Sequence, residues 1–123
     1  MSNILNDKWV LWFHDINETD WSINGYQKIV EIDSIESFWN IYKKIDEVTV
    51  QNSMFFLMRN GINPIWEDEK NINGGCWSFK INKKEVYNTW KDLSIHLLGE
   101  NISRELKNSL MINGISIRYQ QFR

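Results

Sequence analysis

Asn60-Gly-Ile-Asn-Pro-Ile-Trp-Glu-Asp-Glu-Lys70, continued by Asn71-Ile-Asn-Gly-Gly-Cys-Trp77, is the stretch on which the reading of this chain turns. Asn60-Gly61 is a turn signal, because both residues accept positive φ at low cost. Pro64 fixes its own φ and removes a backbone donor, so Gly61 to Ile65 reads as loop. Trp66 then offers a flat π-face, and Glu67 directly after it offers two acceptor oxygens. Such a pair suits a flat, electron-poor ring with neighbouring N–H donors on its edge. Guanine meets the second requirement, since one carboxylate accepts both its ring N–H and its exocyclic amine. A cationic ring would add a cation–π contribution of roughly 0.5–2 kcal/mol. The alternative is a core tryptophan beside a solvated acidic turn.

The stretch has company. Its Trp-Glu-Asp-Glu-Lys-Asn and Gly-Gly-x-Trp resemble the signature of the eukaryotic translation initiation factor 4E family, which binds the 5′ cap of messenger RNA. Further matches follow in order: Lys8-Trp-Val-Leu-Trp-Phe13, Asp20-Trp21, Ile35-Glu-Ser-Phe-Trp39 with Tyr42, Trp90, and Leu97-Leu-Gly-Glu100. The resemblance spans roughly residues 4–123. It implies an α+β fold: a curved, mainly antiparallel sheet backed by helices on its convex side, with the cap on the concave face. It also implies that Trp21 and Trp66 sandwich the methylated base while Glu67 takes its Watson–Crick edge. Arg118 and Arg123 match positions that hold the phosphate chain, a task suited to the planar guanidinium fork. Ile35, Trp39, Lys91, Asp92 and Ile95 match a dorsal surface that receives a helical peptide from the initiation factor 4G scaffold or a repressor.

The sequence departs from the family in three places. Cys76 stands where many members have a basic residue near the phosphates. Lys91 stands where leucine is usual, beside Asp92 where an acid is usual. The family's last strands, third long helix and a tryptophan near the cap's methyl group have no counterpart. These departures support an alternative, a decoy or regulator that keeps the dorsal surface and binds the cap weakly.

At 123 residues the chain makes one domain, with an N-terminal arm over residues 1–7 expected to be flexible or else to pack extended, and the cap-binding domain over 8–123. Net charge is −2, so nucleic-acid recognition must be local, and nothing points to DNA. One cysteine excludes an intrachain disulfide and a cysteine-cluster zinc site. No apolar run reaches the ~20 residues of a membrane span, and the N-terminus lacks signal-peptide character, so the expected setting is cytoplasmic. No catalytic constellation is present: His14 and His96 are far apart in sequence, and no nucleophile motif or phosphate-binding loop precedes a helix. Adjacent carboxylates at 67–69 point in different directions, which argues against a metal; no cofactor is expected.

Alternation predicts strands at Lys8–His14, Tyr26–Ile32, Ser53–Arg59, Cys76–Ile81 and Ile115–Arg123. Asp15–Asp20 is a polar loop that delivers Trp21. A helix starts near Asp33-Ser34, carries Ile35, Phe38, Trp39, Tyr42 and Ile45 on one face, and ends near Asp46. A second spans Lys83–Leu98, with Val86, Trp90, Leu93 and Leu97 inward and Gly99 at C′. Residues 100–111 suggest a short helix capped by Ser103, and Asn113-Gly114 a turn.

Overall fold

The computed structural model describes residues 4–46, 49, 54–65, 67–76, 78 and 80–118. Trp66, Trp77 and Arg123 lie outside the described residues, as do 1–3 and 119–123.

Among the described residues, the elements that follow one another are β1 (Ile4–His14), a 3-10 turn (Ile23–Gly25), β2 (Tyr26–Ser34), α1 (Ile35–Tyr42), β3 (Met54–Arg59), α2 (Val86–Leu98), α3 (Leu106–Ser109) and β4 (Gly114–Ile117). The strands form one antiparallel sheet in the order β2-β1-β3-β4. Register shifts between Ile4 and Trp9 and between Leu11 and Trp12 interrupt the β1–β2 ladder. Such irregularities increase local twist and help the sheet curve.

Side chains alternate across the sheet, and each face has its own partners. Trp9, Leu11, Ile32, Phe55 and Leu57 meet Phe38 and Tyr42 of α1 and Trp90, Leu97 and Leu98 of α2. Trp9, Leu11 and Leu57 are fully buried, each contributing on the order of 2–3 kcal/mol of hydrophobic stabilisation. The two helices are tied by one buried polar pair. Ser94 Oγ donates to Trp90 O (2.7 Å), so the Tyr42 hydroxyl donates to Ser94 Oγ (2.8 Å). Burial pushes the Tyr42 phenol well above its ordinary range. On the other face Val10, Trp12, Met58 and Ile62 form a second cluster, joined by Tyr26 and Phe56.

One ion cluster locks the far end of the sheet. The Arg59 guanidinium grips Glu100 with both terminal nitrogens (2.6 and 3.0 Å) and also reaches Asp7 (2.7 Å). It lies over the Trp9 ring and donates to the carbonyls of Ser109 and Ile112. Burial opposes the Arg59 charge, and the bonds to Glu100 and Asp7 outweigh it, raising its pKa.

Several expectations need correction. Strand β1 begins at Ile4, so residues 4–7 are strand rather than a flexible arm, and Asp7 anchors them. Helix α1 is capped by Ser34, whose Oγ accepts from Ser37 N–H, and it ends at Tyr42 instead of Asp46. Gly99 is not left-handed; the positive φ (56°) falls on Glu100, whose carboxylate is fixed by Arg59. The short helix runs Leu106–Ser109 with Glu105 at its N-cap, while Ser103 Oγ accepts from Glu105 N–H. Gly114 opens β4 rather than a turn, because a Cβ there would meet Leu57 O and Met58 Sδ at 2.5 Å. No described residue of Cys76–Ile81 is strand. Beside β3, on the side away from β1, lies β4.

Candidate functional site

Trp21 leaves the loop after β1, and the residue beneath it explains its pose. His14, the last residue of β1, is fully buried and lies flat against the indole (centroids 4.0 Å, interplanar 8°). Its Nδ1 is 2.9 Å from Asp15 O and its Nε2 3.1 Å from Asp20 O, so one imidazole spans both ends of the loop. Asp20 caps the next turn, accepting from Ser22 N–H and Oγ–H. The Ser22 hydroxyl, then its N–H, hold the Asp20 carboxyl below its ordinary value. Gly25 is required here, because a Cβ would collide with Asp20 O. Tyr26 abuts His14, Trp21 and Phe56 edge-on. With one face braced from behind, Trp21 remains 50% exposed.

Glu67 arrives from the opposite end of the sheet. β1 and β3 are antiparallel, so the chain leaves β3 beside Trp9, at the end remote from His14. It then turns back. Ile62 N–H bonds Arg59 O, and Gly61 takes φ 90°, as the Asn-Gly signal predicts. Ile62 packs on Val10, Trp12 and Met58, and Pro64 is buried. The segment thus folds back over the sheet face that carries Val10, Trp12 and Met58. Burial raises the Tyr26 phenol, and the Glu67 carboxylate raises it further.

The acidic run divides by role. Asp68 faces inward on its own loop, accepting from Asn63 N–H (2.9 Å) and Lys70 N–H (2.8 Å). Asn71 donates to the carbonyls of Asn63 and Ile65, and Asn113 donates to Lys70 O and to Asn71 Oδ1. Glu67 and Glu69 stay exposed. Among the described residues no cluster of three metal-ligating side chains forms. Sequence reasoning missed His14, Asp68, Asn71 and Asn113 as site builders. For Asp68 the signal was available, since Asp and Asn bind backbone two residues on in turns.

Arg118 is exposed and directly follows β4. Trp66 and Arg123, the other two residues of the expected cap site, lie outside the described residues. Cys76 is exposed.

The dorsal candidates lie on the two helices. Trp39 is 38% exposed, and Ile35 and Ile95 are similarly open. Lys91 Nζ sits 5.3 Å from the centre of the Trp39 ring and 6.0 Å from that of Tyr87. These side chains, with Tyr42, Lys43 and Asp46, border a groove of about 520 Å³. Asp92 is exposed on the same helix; Ile35 and Ile95 lie outside the groove lining.

Comparison with known proteins places this geometry in context. The sequence model for "Eukaryotic initiation factor 4E" matches residues 4–123. Eukaryotic translation initiation factor 4E of Candida albicans is 34% identical over 97% of this chain and 61% of its own length. The initiation factor 4E homolog of Acanthamoeba polyphaga mimivirus is 28% identical over 97% of this chain and 52% of its own. The chain therefore spans between about half and three-fifths of these relatives. Among solved structures, Ascaris suum eIF4E-3 in complex with m7G cap superposes with a TM-score of 0.85 at 26% identity, covering 98% of this chain and 69% of that one.

Proposed function

The chain belongs to the eukaryotic initiation factor 4E family, and from that premise we propose that it binds the 7-methylguanosine 5′ cap of messenger RNA in translation initiation or its regulation. The observation that carries the reading is the convergence of two distant loops. Trp21 is half exposed after β1 with His14 stacked behind it, and the chain leaving β3 folds back over the same face of the sheet ahead of Glu67, whose carboxylate acts on the Tyr26 phenol. The Ascaris relative, solved with m7G cap, supports the ligand class.

In this reading the methylated base stacks on the outer face of Trp21, with Trp66 on its other side. Methylation makes the ring cationic, which strengthens stacking on indole, and acidifies the ring N–H that Glu67 accepts. Arg118, joined by Arg123, holds the phosphates. The protein is a binding module and not an enzyme.

A second surface accompanies the first. Trp39, Lys91 and the flanking Ile35, Asp92 and Ile95 would receive a helical peptide from an initiation factor 4G-like scaffold or a repressor. Lys91 over Trp39 disfavours an apolar side chain at that spot and favours a carboxylate there. Should the cap site prove weak, this surface makes the chain a decoy or regulator.

Tryptophan fluorescence decides between these readings. Titration with 7-methyl-GTP should quench emission more strongly than GTP does, and Trp21→Ala and Trp66→Ala should each remove the difference. Equal responses to the two nucleotides would refute the cap reading.

A further inference from the structure

We infer that the dorsal groove is charge-selective: it takes a helical segment that sets an acidic side chain against Lys91, so Lys91 decides which partner peptide this chain accepts. The inference rests on the dorsal reading above and is independent of the cap site. Trp39, Tyr42 and Tyr87 supply the aromatic wall of the groove, and Lys43, Asp46 and Lys91 its charges. The aspartate is already engaged, since its carboxylate accepts from Thr49 N–H at 2.7 Å. The lysines still lack a counter-charge: among the described residues neither ammonium forms an ion pair. On α2 the positions three and four from Lys91 are Tyr87, Asn88, Ser94 and Ile95, and none is acidic. Asp92 is adjacent in sequence and so does not face Lys91. A positive site thus stands on a chain whose net charge is −2.

Lys91 Nζ lies over the Trp39 and Tyr87 rings, 5.3 and 6.0 Å from their centres. An apolar side chain laid on this wall would strip water from the ammonium and give it no acceptor, which is costly. A carboxylate laid there gains a charge-assisted hydrogen bond from the same ammonium and leaves the ring contacts in place. The flexible stem of lysine lets the ammonium follow the carboxylate. A basic side chain would meet like charge and be rejected. Ile95, one turn along α2 from Lys91, and Ile35, one turn before Trp39, are exposed and leave apolar surface beside the charged spot. The occupant is therefore an amphipathic helix whose apolar stripe is flanked by aspartate or glutamate.

The experiment uses fluorescein-labelled helical peptides of about five turns that share an i, i+3, i+4, i+7 apolar stripe. At one position beside the stripe they carry Glu, Leu or Lys, and that position is moved along the helix so that each register is sampled. Anisotropy titration compares the wild-type chain with Lys91→Leu and Lys91→Glu. Lys91 lies outside both apolar clusters, so both variants should keep the fold, which thermal unfolding reports. In wild type the tightest Glu peptide should bind about three- to tenfold more strongly than its Leu counterpart, and raised salt should shrink that margin. This comparison needs no variant. Lys91→Leu should turn the preference to Leu, and Lys91→Glu should transfer it to Lys. A wild-type preference for Leu, equal binding of the two, or a Glu preference that survives in Lys91→Leu would overturn this inference and leave the dorsal reading standing. Failure of every peptide to bind would overturn the dorsal reading and this inference with it.

Discussion

Two tryptophans on opposite sides of the molecule stand about equally open to solvent, Trp21 at 50% and Trp39 at 38%, yet they are prepared differently. Trp21 is supported from behind by a buried ring, and its loop is pinned by that ring at both ends. Its free face is fixed in advance. Trp39 is covered from outside by the ammonium of Lys91, on a long flexible stem. The first arrangement suits a rigid flat ligand that pays no cost to find its platform. The second suits a helical partner that can move a side chain aside. Exposure alone would not separate them; what lies against each ring does.

Four substitutions test this contrast. Trp21→Ala should have the largest effect, lowering 7-methyl-GTP affinity by about ten- to hundredfold, in line with the loss of one base stack. Calorimetry would measure it, and the fold should survive because Trp21 is outside both apolar clusters. Glu67→Gln should cost about ten- to thirtyfold, since an acceptor of two donors becomes a group with one acceptor and one opposing donor. The loss should be confined to guanine-type ligands.

Asp68→Ala should act indirectly. It frees Asn63 N–H and Lys70 N–H and lets the fold-back loop open. Amide exchange across residues 63–71 should quicken, and nucleotide affinity should fall about threefold to tenfold without change in base preference. The smallest effect is expected from Lys91→Leu. Losing a half-exposed cation–π contact costs roughly 0.5–1 kcal/mol, partly offset by new apolar contact. Thermal unfolding should barely move and nucleotide binding should not change. A cap affinity that responded to Lys91→Leu would show that the two faces are not independent.

Much of this was legible in sequence, for identifiable reasons. The helix faces follow the 3.6-residue period, so Phe38, Tyr42, Trp90 and Leu97 fall inward as expected. Trp21 stood out because a tryptophan in a polar loop is poorly explained by packing. The fold-back did not stand out, since it depends on Ile62 finding Val10, Trp12 and Met58 across the sheet. Periodicity is blind to such pairings. The same blindness made Cys76–Ile81 look like a strand: alternation proposes an extended segment but not whether an edge is free to receive it. His14 read as an ordinary structural histidine, because its two carbonyl partners are backbone atoms with no sequence signature. Glu100 was passed over for Gly99 at the helix end, because the composition of a terminus does not reveal a guanidinium 41 residues upstream.

That guanidinium has a consequence in time. Arg59 joins residues from β1, from the end of α2, and from the segment leading into β4, and its listener groups lie 41 to 53 positions away along the chain. Such a clasp closes only after all those segments have arrived, so it contributes little to the transition state through which the chain first folds. Interactions formed that late act on the rate of unfolding. Arg59 and Glu100 are therefore expected to act on how long the folded molecule persists more than on the speed with which it forms.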